Sequence, residues 1–369
     1  MNTIIKKIDA DNMSAADFAE AADILRKGGL VAFPTETVYG LGGDARNPQA
    51  SSKIYAAKGR PSDNPLIVHI AEAEELDGIC DWDKAGSKDA PYDIRSRALA
   101  LAREFWPGPL TMILPRGEAI PKQTTGGLDT VAVRLPSHPA AHMLIKTAGL
   151  PIAAPSANLS GRPSTTKAEH VIEDLNGRID MIIDGGSSEI GLESTIVDLT
   201  GEKPLILRPG FISIEQLGKV LPGIDYDPAI TGRSAHPDTP PKAPGMKYRH
   251  YAPKGELTIF EGSHEAVVKA INAELEKLRE SGGENGGNVV KAGVLASKEY
   301  ASDYNCSNIR ILGSRDNEAE IAAHLFDALR SFDADSTQVI FGECFTDSGL
   351  GTAIMNRLIK AAGYHVVKV

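Results

Sequence analysis

The chain has 369 residues, 39 basic and 49 acidic, giving a formal charge of −10, with 42% apolar and 24% charged side chains. That length accommodates two domains, and the composition excludes wholesale disorder and a bulk electrostatic grip on nucleic acid. No apolar run approaches the ~18 residues of a membrane span, and the three scattered cysteines (Cys80, Cys306, Cys344) offer neither a disulfide framework nor a Cys-x-x-Cys pair.

The first residues lack the basic-then-apolar order of a signal peptide, and with the cysteine usage this predicts a cytoplasmic protein. In chain order, Ser14 caps a predicted helix whose Phe18, Ala21, Ala22 and Leu25 share a face before Gly28-Gly29 stops it. Short apolar strands are expected at Leu30–Phe33, Leu66–Ile70, Leu110–Leu114, Val131–Leu135, Ile152–Ala154, Met181–Ile183 and Thr195–Val197. Helices are expected over 49–58, 95–105, 138–148 and 167–175. Strands and helices do not alternate strictly, so residues 1–222 read as an α/β domain with a mixed sheet.

Seven of the 23 prolines fall between Pro222 and Pro253, which marks residues 223–254 as a linker. Beyond it, over 255–369, the rhythm is regular. A strand at 256–260 leads to a helix over 264–280 with Val267, Ile271, Leu275 and Leu278 on one side. A strand at 289–296, a helix at 318–331, the strand Val339–Phe341, a helix at 351–361 and the strand Tyr364–Val369 follow. That alternation predicts a small parallel, doubly wound domain.

Neither a G-x-x-x-x-G-K-[ST] phosphate loop nor G-x-G-x-x-G occurs. Polar clusters instead gather at predicted strand ends, where open α/β sheets place ligands. Pro34–Gly42 combines hydroxyls with glycines and suits either a capped turn or a loop approaching a small polar ligand. Lys58-Gly59-Arg60-Pro61-Ser62-Asp63-Asn64-Pro65 sets two cations beside a proline-bracketed turn, fit for phosphate oxygens or for a helix C-terminus. Arg134 interrupts an apolar strand and needs an anion if buried: a carboxylate of the protein, or a ligand carboxylate or phosphate. Ala154–Ser164 is dense in small donors, and Glu193-Ser194-Thr195 and Arg208-Pro209-Gly210 repeat the theme. Five such loops point to a shared cleft.

Together these motifs resemble a known family. Pro34–Gly42, Lys58-Gly59-Arg60 with Asn64-Pro65-Leu66, Phe105–Thr111, Ser156-Ala157-Asn158, Glu193–Asp198 and Arg208-Pro209-Gly210 are similar to the YrdC-type domain of threonylcarbamoyl-AMP synthases. Pro244–Pro253 resembles the linker of the two-domain form, and Gly349-Leu350-Gly351 with Ala353–Arg357 resembles its Rossmann-like C-terminal domain. Ala243 departs from the pattern, which has Ser before Pro-Gly-Met.

The resemblance implies a YrdC-like twisted mixed sheet with helices, a proline-rich linker and a small parallel Rossmann-like domain. It implies an enzyme, a nucleotidyltransferase, that makes threonylcarbamoyl-adenylate and pyrophosphate from L-threonine, bicarbonate or CO2, and ATP with Mg²⁺. The product serves modification of tRNA, so tRNA is a partner only indirectly, and later-pathway threonylcarbamoyl-transfer proteins are candidate partners. Lys58 and Arg60 are implied as catalytic. Asn64, Thr130, Ser156, Ser164, Arg208, Tyr248 and Tyr251 join them around ATP. Thr37, His69, Arg134, Ala154 and Ser194 form the implied threonine pocket, and Lys247 and His250 belong to a linker lid. No protein-bound metal is expected. Two rivals remain: an RNA-binding module using Lys58, Arg60, Lys122, Arg134 and Arg162, and a carbamoyl-transfer enzyme of the hydrogenase-maturation type, against which the few cysteines tell.

Overall fold

The computed structural model describes residues 2–9, 12–83, 93–230, 243, 250–283, 290–346 and 348–369. The chain divides into two compact units, Met1–Ser160 with Ser164–Tyr248, and Gly161–Pro163 with Arg249–Val369.

The first unit runs β1 (Ile4–Lys7), α1 (Ala15–Arg26), β2 (Val31–Phe33), β3 (Gly40–Asp44), α2 (Pro48–Lys58), β4 (Ile67–His69), α3 (Ile94–Phe105), β5 (Leu110–Pro115) and β6 (Thr130–Arg134). It continues with α4 (Pro139–Ala148), β7 (Ile152–Ala153), α5 (Ala168–Leu175), β8 (Met181–Asp184), β9 (Thr195–Asp198), β10 (Leu205–Arg208), α6 (Ile214–Val220) and β11 (Asp225–Tyr226). Its strands form a mixed sheet ordered β1-β8-β2-β3-β7-β4-β6-β5-β9-β10-β11.

Local chemistry explains the helix boundaries. Asp17 accepts a 2.8 Å hydrogen bond from the Ser14 N–H, the reciprocal half of a capping box, and α1 buries the four predicted residues. Asn47 caps α2 before Pro48, and Gly59 ends it in the left-handed conformation at φ 64°. The strand β3 is a departure from expectation. Its glycines read as a loop, but a Cβ on Gly42 would sit 2.7 Å from Ile152 and 2.8 Å from Phe33, so packing between neighbouring strands demands glycine there.

Strand alternation separates two faces. Val68, Met112, Val131, Val133, Val197 and Ile206 point into the main core with α3. Ile67, Ile113, Ala132, Ile196 and Leu207 line the other face as an apolar strip, and Ala243 is fully buried against them. One residue of the predicted linker therefore seats on this sheet.

The second unit runs β12 (Glu256–Glu261), α7 (His264–Gly283), β13 (Ala292–Ala296), β14 (Ile309–Ile311), α8 (Glu318–Ala334), β15 (Val339–Glu343), α9 (Gly351–Ala361) and β16 (Val366–Lys368). All its strand pairs are parallel, in the order β14-β13-β15-β12-β16. This is the doubly wound arrangement expected from the alternation. Val267, Ile271 and Leu275 are buried in its core, as their spacing predicts. The short β14 carried no recognised signal.

Candidate functional site

One end of the apolar strip is polar. Register places His69 beside Arg134, and Arg134 beside Thr111, so all three share the strip's face. Arg134 is 4% exposed. Its Nη1 donates to Thr37 Oγ1 at 2.8 Å, and its Nη2 lies 2.7 Å from Glu36 Oε1. The latter contact is off-line for a hydrogen bond and acts through charge. The anion required by a buried Arg134 is thus first supplied by Glu36, from the same turn as Thr37. Glu36 was missing from the expected site. Its signal was a carboxylate between two buried threonines after a buried strand.

Two protonation states follow. Burial alone would push the Glu36 carboxyl up, but the Arg134 guanidinium charge beside it outweighs burial and holds the group below its usual range. Burial, then the Arg134 charge, pushes His69 down to about 3, so its imidazole is neutral at pH 7. His69 Nδ1 is 3.1 Å from the Ile67 carbonyl, and the ring meets Phe33 edge-on at 6.2 Å.

Ser194 extends this cluster. Its Oγ is 2.7 Å from Thr111 Oγ1 and accepts from Arg208 Nη2 at 3.1 Å, while Arg208 Nε donates to the Ser194 carbonyl at 3.0 Å. A register shift between Ile206 and Arg208 explains how Arg208 reaches the same side as Leu207, since a bulge re-aims the side chain that follows it. Ser164 donates to Glu193 at 2.5 Å, one residue before Ser194.

A second polar cluster surrounds the end of α2. Lys58 is 2% exposed and donates to the carbonyls of Ser156 and Asn158, with Asn158 Oδ1 at 3.4 Å. Ser156 Oγ donates to the same Oδ1 at 2.5 Å. Arg60 donates to Asn64 Oδ1 at 2.6 Å and to the Pro65 carbonyl at 3.1 Å. Both cations bind carbonyls of the loops they organise. The clusters are joined through the sheet: Ala154 N–H donates to the Ile67 carbonyl at 2.8 Å, and Ser156 bridges to Gly40 beside the Thr37 turn. Ala154 contributes backbone, and Thr130 opens β6, partly exposed.

The remaining expected residues are those of the linker. Lys247 and Tyr248 fall outside the described residues. His250 and Tyr251 belong to the second unit, where Tyr251 stacks on Phe326 at 5.2 Å and lies beneath Arg357. Among the described residues, no group of three or more His, Cys, Asp or Glu side chains is arranged to hold a metal, and no helix is long and apolar enough to cross a membrane.

Comparison with known proteins agrees with this architecture. A family profile described as "Telomere recombination" matches residues 23–210, and one described as "Threonylcarbamoyl-AMP synthase, C-terminal domain" matches residues 212–363. The chain is 48% identical over 349 residues to a threonylcarbamoyl-AMP synthase of Pyrococcus abyssi, covering 95% of each chain. It is 47% identical over 361 residues to that of Bacillus subtilis, covering 97% of each. The crystal structure of P. abyssi Sua5 complexed with L-threonine matches with a TM-score of 0.87 at 45% identity, covering 100% of both chains. In sequence along its whole length and in the fold of its backbone, the chain belongs to the threonylcarbamoyl-AMP synthase family.

Proposed function

We propose that the protein joins L-threonine, CO2 (from bicarbonate) and the adenylyl group of Mg²⁺–ATP into threonylcarbamoyl-adenylate, releasing pyrophosphate, to supply N6-threonylcarbamoyladenosine modification of tRNA. The observation that carries this reading is the buried Thr37–Arg134–Ser194 face, set beside a Lys58–Arg60 loop system. Arg134 spends N–H groups on Thr37 Oγ1 and, through Nε at 3.4 Å, on the Gly108 carbonyl; others remain, and its planar fork suits an amino-acid carboxylate. Thr37, Ser194 and Thr111 supply small hydroxyls around it, and neutral His69 accepts or donates a hydrogen bond without adding charge.

The chemistry needs no covalent enzyme nucleophile. The threonine amine attacks CO2 and loses a proton, giving an N-carboxylate. A carboxylate oxygen attacks the α-phosphorus of ATP, and pyrophosphate leaves with the electron pair of the broken P–O bond. The protein's work is positioning and charge stabilisation by Lys58, Arg60 and Arg208, with Asn64, Thr130, Ser156 and Ser164 around the nucleotide. The magnesium ion enters with its triphosphate, as it commonly does. Lys247, Tyr248, His250 and Tyr251 are assigned to a lid that protects the hydrolysable product.

Pyrophosphate release, assayed with each substrate omitted in turn, tests this. Release should fall to background without threonine or bicarbonate; equal release without either sinks the reading. The RNA-binding alternative is weaker, because Lys58 and Arg134 are buried within the protein's own contacts rather than displayed to a phosphate backbone.

A further inference from the structure

The second unit carries polar chemistry that the proposed reaction does not use. From β12 the chain crosses the sheet toward β13 through α7. From the neighbouring β15 it crosses the opposite way, toward β16, through α9. Right-handed crossovers in opposite directions place their helices on opposite faces of a sheet. The loops leaving the C-terminal ends of β12 and β15 therefore turn to opposite sides, and the crevice this opens is where parallel α/β sheets take ligands.

A cavity of about 70 Å³ lies there. Its volume is several times the ~10–15 Å³ that one water needs on the same measure. His264 reaches it from beyond β12, Tyr300 and Tyr304 from beyond β13, Arg315 from beyond β14, and Glu343 from the end of β15.

The acceptors in this crevice are already occupied. Buried Glu343 receives the Ser297 N–H at 3.1 Å, Ser297 Oγ at 2.8 Å, Tyr304 OH at 3.1 Å and Arg315 Nη1 at 2.8 Å. Asp303 receives His264 Nε2 at 2.9 Å, and Glu299 receives Ser314 Oγ and the Arg315 N–H. The surplus lies with the donors. Arg315 uses one N–H on Glu343 and one on the Cys344 carbonyl at 2.9 Å, of the five that a guanidinium carries. Its planar group is held 5.2 Å from the rings of both Tyr300 and Phe345, so the fork is preorganised.

His264 stacks on Tyr300 at 3.5 Å between centroids, and its Nδ1 is buried without a hydrogen-bond partner. With Nε2–H directed at Asp303, Nδ1 is left as an acceptor and matches an oxygen that carries a proton. A phosphate, whose second proton titrates near neutrality, offers such an oxygen, and a carboxylate does not.

We infer that this crevice is a binding site for a phosphate group, held by the Arg315 fork and His264 Nδ1. The nearby charges of Asp303, Glu299 and Glu343 make the site weak for a free dianion, so the probe is inorganic phosphate at millimolar concentration.

Calorimetric titration of the full chain with phosphate tests the site, using acetate as the carboxylate comparison. Arg315→Lys keeps the charge but loses the fork. His264→Phe keeps the stacking on Tyr300 but loses both nitrogens. Each should weaken phosphate binding at least tenfold, while Arg95→Ala, an exposed first-unit cation outside the proposed reaction's site, should change it less than twofold. If Arg315→Lys fails to fold by circular dichroism, His264→Phe alone decides. Absence of saturable phosphate binding, binding unchanged in His264→Phe, binding lost with Arg95→Ala instead, or acetate binding as tight as phosphate would each overturn the inference.

Discussion

At the scale of single residues, the buried Glu36–Arg134 pair decides how the site is tested. Removing one partner of a buried ion pair strands the other charge and costs about 3–5 kcal/mol, so Arg134→Ala conflates folding with recognition. Arg134→Lys keeps the charge opposite Glu36 but loses the planar fork. In the proposed reaction it should raise the threonine KM at least tenfold and leave the ATP KM within twofold. An unchanged threonine KM, in a variant whose urea midpoint shows it folded, removes Arg134 from the carboxylate.

Acid stability has a definite sign in the same cluster. His69 titrates at about 3 when folded and near 6.5 when unfolded, so between those values the unfolded chain binds the extra proton. Its contribution is complete above about 6.5 and is lost as pH falls, at roughly 1.4 kcal/mol per pH unit. Glu36, also held low, adds its own loss below its unfolded value of 4.5. In urea unfolding at pH 5 and pH 6, His69→Gln should flatten the stability slope by nearly one proton; an undiminished slope contradicts the neutral assignment. Arg134 was legible in the sequence because a cation inside an apolar strand demands an anion. Which anion was not legible, since Glu36 lies 98 positions away and only the pairing of strands brings the two together.

At the scale of elements, backbone proximity shapes the site as much as side chains do. A Cβ on Gly210 would lie 2.5 Å from Thr195 N and 2.8 Å from the Glu193 carbonyl, the backbone on either side of Ser194. Gly210→Ala should therefore cost about 2 kcal/mol of stability and raise the threonine KM together, because the neighbour that must yield is backbone. Gly40→Ala meets only the Ala154 and Phe33 side chains at 3.3 Å and should be milder. If Gly210→Ala changes neither the urea midpoint nor the KM by a measurable amount, the close approach does not position Ser194. Apolar strands such as β5 and β6 were readable from their residues. The glycine strand β3 and the bulge in β10 were not, because both answer to what packs beside them rather than to their own periodicity.

At the scale of the whole molecule, the second unit followed its alternating pattern closely, while the order of strands in the first unit could not be read at all. The cause is separation along the chain: β1 pairs with β8, Ile4 opposite Met181, and β3 pairs with β7, Gly43 opposite Ala153. No local pattern encodes partners so far apart. In the second unit β13 pairs with β14, Val294 opposite Ile309, across a short stretch. Closing distant pairs must wait for long loops to form, so pulse-labelled hydrogen exchange during refolding should protect β13 and β14 before β1 and β8. Protection in the reverse order would show that chain separation does not govern assembly here. The same topology bears on synthesis. Roughly half the chain must leave the ribosome before its first strand has anything to pair with, and the Ser194 and Arg208 side of the site arrives later still. Until then the apolar strip that Ala243 later helps to bury is exposed, and it is in that interval, rather than after folding is complete, that the nascent protein has most need of a chaperone.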